Sequence, residues 1–116
     1  CVRFIPGSHE WGIRDHGTAS QEANLLSQNQ QVILSEAEEA RAVDNELRAG
    51  QISIHHGLTA HGSRPNRSDR RRCGMALIYV PTDTKPVPSS QVFWKIVLVR
   101  GRMKECGFEE IPRPFN

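Results

Sequence analysis

Apolar and polar positions alternate weakly over Cys1-Val2-Arg3-Phe4-Ile5, which predicts a short strand. Pro6-Gly7-Ser8-His9 stops it, because proline lacks the ladder donor and glycine favours a turn. Residues 10–30 are polar and glycine-containing, and read as a long loop with one helical turn around Gln21–Leu26. Leu34, Ala37, Ala40, Val43 and Leu47 recur at three- and four-residue steps, the pattern of an amphipathic helix over 34–48. Ser35 with Glu38 three residues later is the signature of its capped start, and Gly50 would stop it. Strands are predicted for Gln51–His55, for Arg72–Val80 and for the almost wholly apolar Val92–Val99. Between them, Gly62–Asp69 is dense in turn formers, and residues 81–90 with Pro81, Pro86 and Pro88 form a loop. The tail with Pro112 and Pro114 reads as extended, Trp94 as a core residue, and Cys73 as a small core residue. The resulting fold class is mainly β.

Composition narrows the function classes. The chain has 116 residues, 37% hydrophobic and 24% charged, enough for one small domain with a lean core. No run of about 18 apolar residues exists, so no membrane span or membrane partner is expected. No basic leader precedes an apolar stretch, so no secretory signal is expected. The three cysteines, Cys1, Cys73 and Cys106, have no CxxC spacing, which argues against a zinc knuckle and for a reducing, cytoplasmic setting. The net charge of +2 divides unevenly: residues 1–58 are net acidic, and residues 59–116 are net basic. The basic excess is concentrated between Arg64 and Arg72.

His55, His56 and His61 precede that arginine stretch and admit four readings. The histidines are structural and the arginines a solvated turn; or the histidines ligate a metal; or the arginines grip nucleic acid. The last is disfavoured, since no aromatic residue lies between Ile54 and Ile78 to stack bases. In the fourth, Gly62–Asp69 joins two antiparallel strands, and His61 and Arg72 face one cavity from its two ends. An imidazole there suits a divalent metal and a guanidinium clamps a carboxylate, the layout of an iron and 2-oxoglutarate site.

The segment AGQISIHHGLTAHGSRPNRSDRRRCGMALIYVPT (Ala49–Thr82) resembles the C-terminal core of the phytanoyl-CoA dioxygenase family. CVRFIPGSHEWG (Cys1–Gly12) resembles the family's strand-turn segment, and Val99–Gly101 with Pro112-Arg113-Pro114 the ending of bacterial members. The pattern HGS…N.S…R, with arginine eleven residues after histidine, is its most specific part. The resemblance implies a non-haem Fe(II)- and 2-oxoglutarate-dependent dioxygenase, an enzyme that hydroxylates a small organic or acyl substrate on a double-stranded β-helix of the jelly-roll or cupin type. It implies that His61 ligates iron, that Arg72 binds the far carboxylate of 2-oxoglutarate, and that Ser63 assists there. His9, His56 and Asn66 would surround that set, with Asn66 and Ser68 shaping the turn, His55 outside the ligands, and Arg70 and Arg71 facing solvent. Ile78 stands where relatives often carry arginine, and Trp11 with the following loop would border a substrate entrance.

The family's iron also needs a His-x-Asp or His-x-Glu pair, and none of His9, His16, His55, His56 or His61 begins one. With Cys1 in first place, the expectation is a single partial domain over 1–116, the C-terminal half of the β-helix, inactive by itself. Its sheet edges would favour self-association. The alternative is a non-catalytic β-rich binding module that keeps the fold without the metal. The family fold also replaces the helix of 34–48 by a strand over 41–48, and puts a short helix at Gln21–Ser27.

Overall fold

The computed structural model describes residues 1–18, 30–87, 95–104 and 107–114. The chain forms two compact units, Cys1–Cys73 and Gly74–Asn116. Among the described residues the regular structure is mainly β, with one short helix and one 3-10 turn. Among the described residues no helix is long and apolar enough to cross a membrane. The Gln21–Ser27 helix and the Trp94 core position lie outside the described residues.

In the first unit, β1 (Val2–Phe4) is the central strand of a three-stranded sheet. It pairs antiparallel with β4 (Val43–Asn45) on one side and β5 (His61–Ser63) on the other. The register sets Phe4 between Val43 and His61, and Arg3 between Asp44 and Gly62. Arg3 Nε lies 2.7 Å from Asp44 Oδ1, too far off the bonding direction to hydrogen bond, and is buried without another partner. The guanidinium's Nη2 instead donates to the Ala42 carbonyl at 3.0 Å. A second pair, β2 (His16–Thr18) with β3 (Gln30–Val32), is also antiparallel. Thus the stretch read as loop over 10–30 contains strand. A Cβ on Gly17 would sit 3.3 Å from Ile33 Cγ1, a tight contact that would have to be relieved by a small shift of the Ile33 side chain.

β1 ends as its sequence demands. Gly7 takes a left-handed φ of 77° and admits the 3-10 turn Ser8–Trp11. Ile5 and Ser8 are the buried residues at this corner, at 3% and 1% exposure. Ile5 N–H donates to Ala60 O at 3.0 Å, which ties the end of β1 to the approach to β5.

The region 34–48 combines both sequence readings. Ser35 caps helix α1 (Glu36–Glu39) in a complete capping box with Glu38. The helix lasts one turn, then the chain straightens into β4. A four-residue helix gains little from propagation, whereas Val43–Asn45 finds in β1 a backbone to pair with. Glu38 accepts from the Ser35 backbone N–H at 2.8 Å and from its hydroxyl at 2.9 Å, and pairs with Arg14 at 2.9 Å. The Ser35 backbone bond first, then its hydroxyl, hold the Glu38 carboxyl below the usual glutamate range; desolvation opposes them, and Arg14 lowers it further. Because the folded value is depressed, the cap's contribution is complete above the unfolded value and is lost as pH falls through the folded one. The Ser35 amide resonance is expected to titrate with a midpoint below the ~4.3 of a free glutamate, and Glu38→Gln to abolish that titration. A midpoint at or above the free value would contradict the cap.

Three predicted strands are corrected. Gln51–His55 forms no ladder, and Ile52 and Ile54 are 81% and 91% exposed. Arg72–Val80 is likewise unpaired, with Met75, Leu77, Ile78 and Tyr79 exposed and Cys73 exposed rather than in a core. Both have strand composition, but a strand requires a neighbouring backbone, and among the described residues none pairs with them. Of Val92–Val99, the described part is strand only at β6 (Lys95–Ile96), which pairs in parallel with β7 (Glu109–Glu110) in the second unit. There Lys95 Nζ meets Glu109 Oε1 at 3.3 Å, and Arg113 donates to the carbonyls of Leu98 and Val99.

Candidate metal and carboxylate site

His61 opens β5, held by the pairing of Phe4 with His61. The segment before it is fixed twice over. The buried Ser8 hydroxyl donates to Ile5 O at 2.7 Å and accepts the Ala60 N–H at 2.8 Å. His61 Nδ1 lies 2.7 Å from Thr59 O. A carbonyl only accepts, so Nδ1 carries the proton of the neutral ring and Nε2 keeps its lone pair, as a metal-binding imidazole requires. Ser8 is the support that the sequence reading missed; its signal was the glycine-serine step of Pro6-Gly7-Ser8-His9, where a small hydroxyl residue follows a left-handed turn. The turn is closed by Ser8, while the exposed His9 packs its ring 5.7 Å from that of His56.

His56 is committed locally. Its Nδ1 accepts the Leu58 N–H at 3.1 Å and its carbonyl accepts the Thr59 N–H at 2.9 Å, so it builds the turn that delivers β5. The His55 ring lies 4.5 Å from Phe4 and 4.9 Å from His61, which makes a small ring cluster on one face of the sheet.

A β-strand's two-residue period places His61 and Ser63 on the same face of β5. Arg72 Nη2 donates to Ser63 Oγ at 3.3 Å. The guanidinium therefore returns to the face that carries His61. The route differs from the hairpin expected from sequence: β5 pairs with β1, and Arg72 lies in no strand. The return is made instead by an asparagine turn. Asn66 Oδ1 accepts the Ser68 N–H at 3.1 Å, and Asn66 Nδ2 donates to Arg70 O at 2.7 Å. This side chain supplies locally the hydrogen bonds that a partner strand would otherwise give.

The family model described as phytanoyl-CoA dioxygenase (PhyH) matches residues 1–74, which include every residue of this site. The chain belongs to the phytanoyl-CoA dioxygenase family. No curated protein and no solved structure matches it. Phytanoyl-CoA dioxygenases are an oxygenase family, typically dependent on Fe(II) and 2-oxoglutarate. Among the described residues, no three His, Cys, Asp or Glu side chains are grouped to hold a metal ion. The family's iron does not fit the described residues as a self-contained site, since a facial set needs two histidines and a carboxylate. What they present is one oriented imidazole, with a guanidinium and a hydroxyl beside it.

Proposed function

We propose that this chain is a single partial domain, the C-terminal half of the double-stranded β-helix core of a phytanoyl-CoA-dioxygenase-like enzyme. That enzyme hydroxylates a small organic or acyl substrate with Fe(II) and 2-oxoglutarate. In this reading His61 is one iron ligand, and Arg72 with Ser63 receives the far carboxylate of 2-oxoglutarate. His9, His56 and Asn66 support that set from outside it. The observation that carries the reading is the Arg72–Ser63 contact, two residues along one strand from a histidine whose Nε2 is left free. A bidentate guanidinium suits a carboxylate in a way lysine does not.

The remaining iron ligands belong to another part of the enzyme, so the chain by itself is inactive. Supplied with Fe(II), 2-oxoglutarate and oxygen, it is expected to form no succinate above the protein-free background. A longer natural form of the protein that carries a His-x-Asp or His-x-Glu pair is expected to form succinate, and His61→Ala or Arg72→Ala to abolish that. Turnover by these 116 residues, or turnover in the longer form that survives both substitutions, would refute the assignment. A longer form without such a pair would favour the non-catalytic binding module.

The partner is a small molecule rather than nucleic acid or a membrane, and the compartment is the cytoplasm. The free thiols of Cys1 and Cys73 support a reducing setting. The exposed apolar run Met75, Leu77, Ile78 and Tyr79 supports self-association.

A further inference from the structure

Of the arginine stretch, the site above uses only Arg72. Arg64, Arg67, Arg70 and Arg71 are exposed, and no described acid pairs with any of them. The turn that carries them is closed at its base. Asn66 Nδ2 and Ser68 Oγ both donate to Arg70 O, at 2.7 and 3.2 Å, so the turn is ordered before a partner arrives. α1 has the opposite charge, with Glu36, Glu38 and Glu39 and no base. Glu38 is taken up by Ser35 and Arg14, whereas Glu36 and Glu39 are exposed and have no described cation. The strand register keeps these charges apart within one molecule. Val43 and His61 both lie level with Phe4, and Asn45 and Ser63 both level with Val2. β4 and β5 therefore run in the same direction on opposite sides of β1. The arginine turn leaves β5 at its Ser63 end, and α1 enters β4 at its Val43 end, so the two stand at opposite edges and opposite ends of the sheet. Among the described residues, the outer edges of β4 and β5 have no ladder partner.

We propose that a second copy of this chain docks at these edges, the β4 edge of one molecule laid antiparallel along the β5 edge of the next. Antiparallel pairing reverses the neighbour, so its Val43 end comes to Ser63 and its Glu36 and Glu39 face the arginine turn. The one base between α1 and β4, Arg41, is turned to Pro6 O and the Trp11 ring. Like edges match worse. β5 laid antiparallel on β5 sets the arginine turn beside Thr59-Ala60, which offers no acid, and β4 on β4 sets α1 beside Glu46. Unlike edges form a head-to-tail contact that two copies do not close, so further copies add to the row. Three-residue edges and exposed ion pairs contribute little singly, which makes the association weak and sensitive to salt. This names the contact behind the self-association proposed above and does not rest on the oxygenase reading.

Sedimentation velocity on the full chain, over rising protein concentration, tests this. At low salt the average mass is expected to rise with concentration, and at about 1 M salt to return to that of one chain. Two charge-reversed variants separate the edges: Arg64→Glu with Arg67→Glu, and Glu36→Lys with Glu39→Lys, all at exposed positions. Each variant alone is expected to associate about tenfold more weakly or less, because like charges then meet. An equimolar mixture of the two is expected to recover association, because each variant keeps one native edge. Association of either variant at the parent's strength would overturn this contact and leave self-association standing through another surface, such as the exposed run from Met75 to Tyr79. A mixture no stronger than its components would overturn it equally. A parent chain that stays single at every concentration would overturn both the contact and self-association.

Discussion

Ile5→Ala is expected to cost the first unit about 2–5 kcal/mol, the usual range for emptying a buried isoleucine site. Ile5 is the buried hydrophobic residue of the described chain, at 3% exposure. It also sits where β1 hands over to the Gly7 turn, and its backbone N–H is bonded to Ala60. A cavity there loses packing at the point that joins β1 to the approach to β5. Whole domains are stable by only about 5–15 kcal/mol, so this substitution removes a large part of what holds the sheet together. The matched control is Ile54→Ala. Ile54 is 91% exposed, and its removal is expected to fall within about 0.5 kcal/mol of the parent. Urea unfolding followed by Trp fluorescence separates the two. Equal shifts in midpoint would mean that the corner around Ile5 is not a core.

Ser8→Ala carries the next largest effect, and its cause is polar. The hydroxyl is the donor to Ile5 O and the acceptor for Ala60 N–H within one buried site. Alanine leaves the Ala60 N–H without its acceptor, while Ile5 O keeps the Ser8 backbone N–H, and a buried unsatisfied group costs about 1–3 kcal/mol. The effect has a local signature as well as a global one. Hydrogen exchange at the Ala60 amide is expected to accelerate by at least tenfold, while the Thr59 amide, bonded to His56 O, keeps its protection until the unit unfolds. Since Ala60 precedes His61, the same change loosens the imidazole of the site. Unchanged exchange at Ala60 would show that the hydroxyl does not hold this segment.

The sequence was most informative where a short-range rule decides the outcome. Pro6-Gly7 ends β1, Ser35 with Glu38 starts α1, and Asn66 with Ser68 folds the loop back, as their side-chain chemistry predicts. It misled where a strand-like run needed a partner. Arg72–Val80 has the composition of a strand and Leu34–Leu47 the spacing of a helix, yet one is unpaired and the other divides into a single helical turn and β4. The hairpin reading and the family resemblance set His61 and Arg72 at the two ends of one loop; the structure brings Arg72 to Ser63 by another route. The arginine returns by an asparagine turn onto Ser63, and no periodicity reports that. Ser8 escaped notice because a serine in a turn ordinarily faces water; the Gly7-Ser8 step marks the turn but not the burial.

By itself, the amino-acid order determined the turns, the helix cap, the mainly β character and the residue types that the chemistry needs. These follow from φ preferences and from hydrogen bonds that span a few positions. Only the tertiary structure decided which strands exist, which nitrogen of His61 is free, and that the Arg72 head group reaches the face of β5 that carries His61. The choice of strands depends on contacts between residues far apart in the chain, such as Val2–Ser63 and Ser8–Ala60, whose energies no local window contains, whereas the His61 and Arg72 outcomes rest on folded contacts to Thr59 and Ser63 that no periodicity reports.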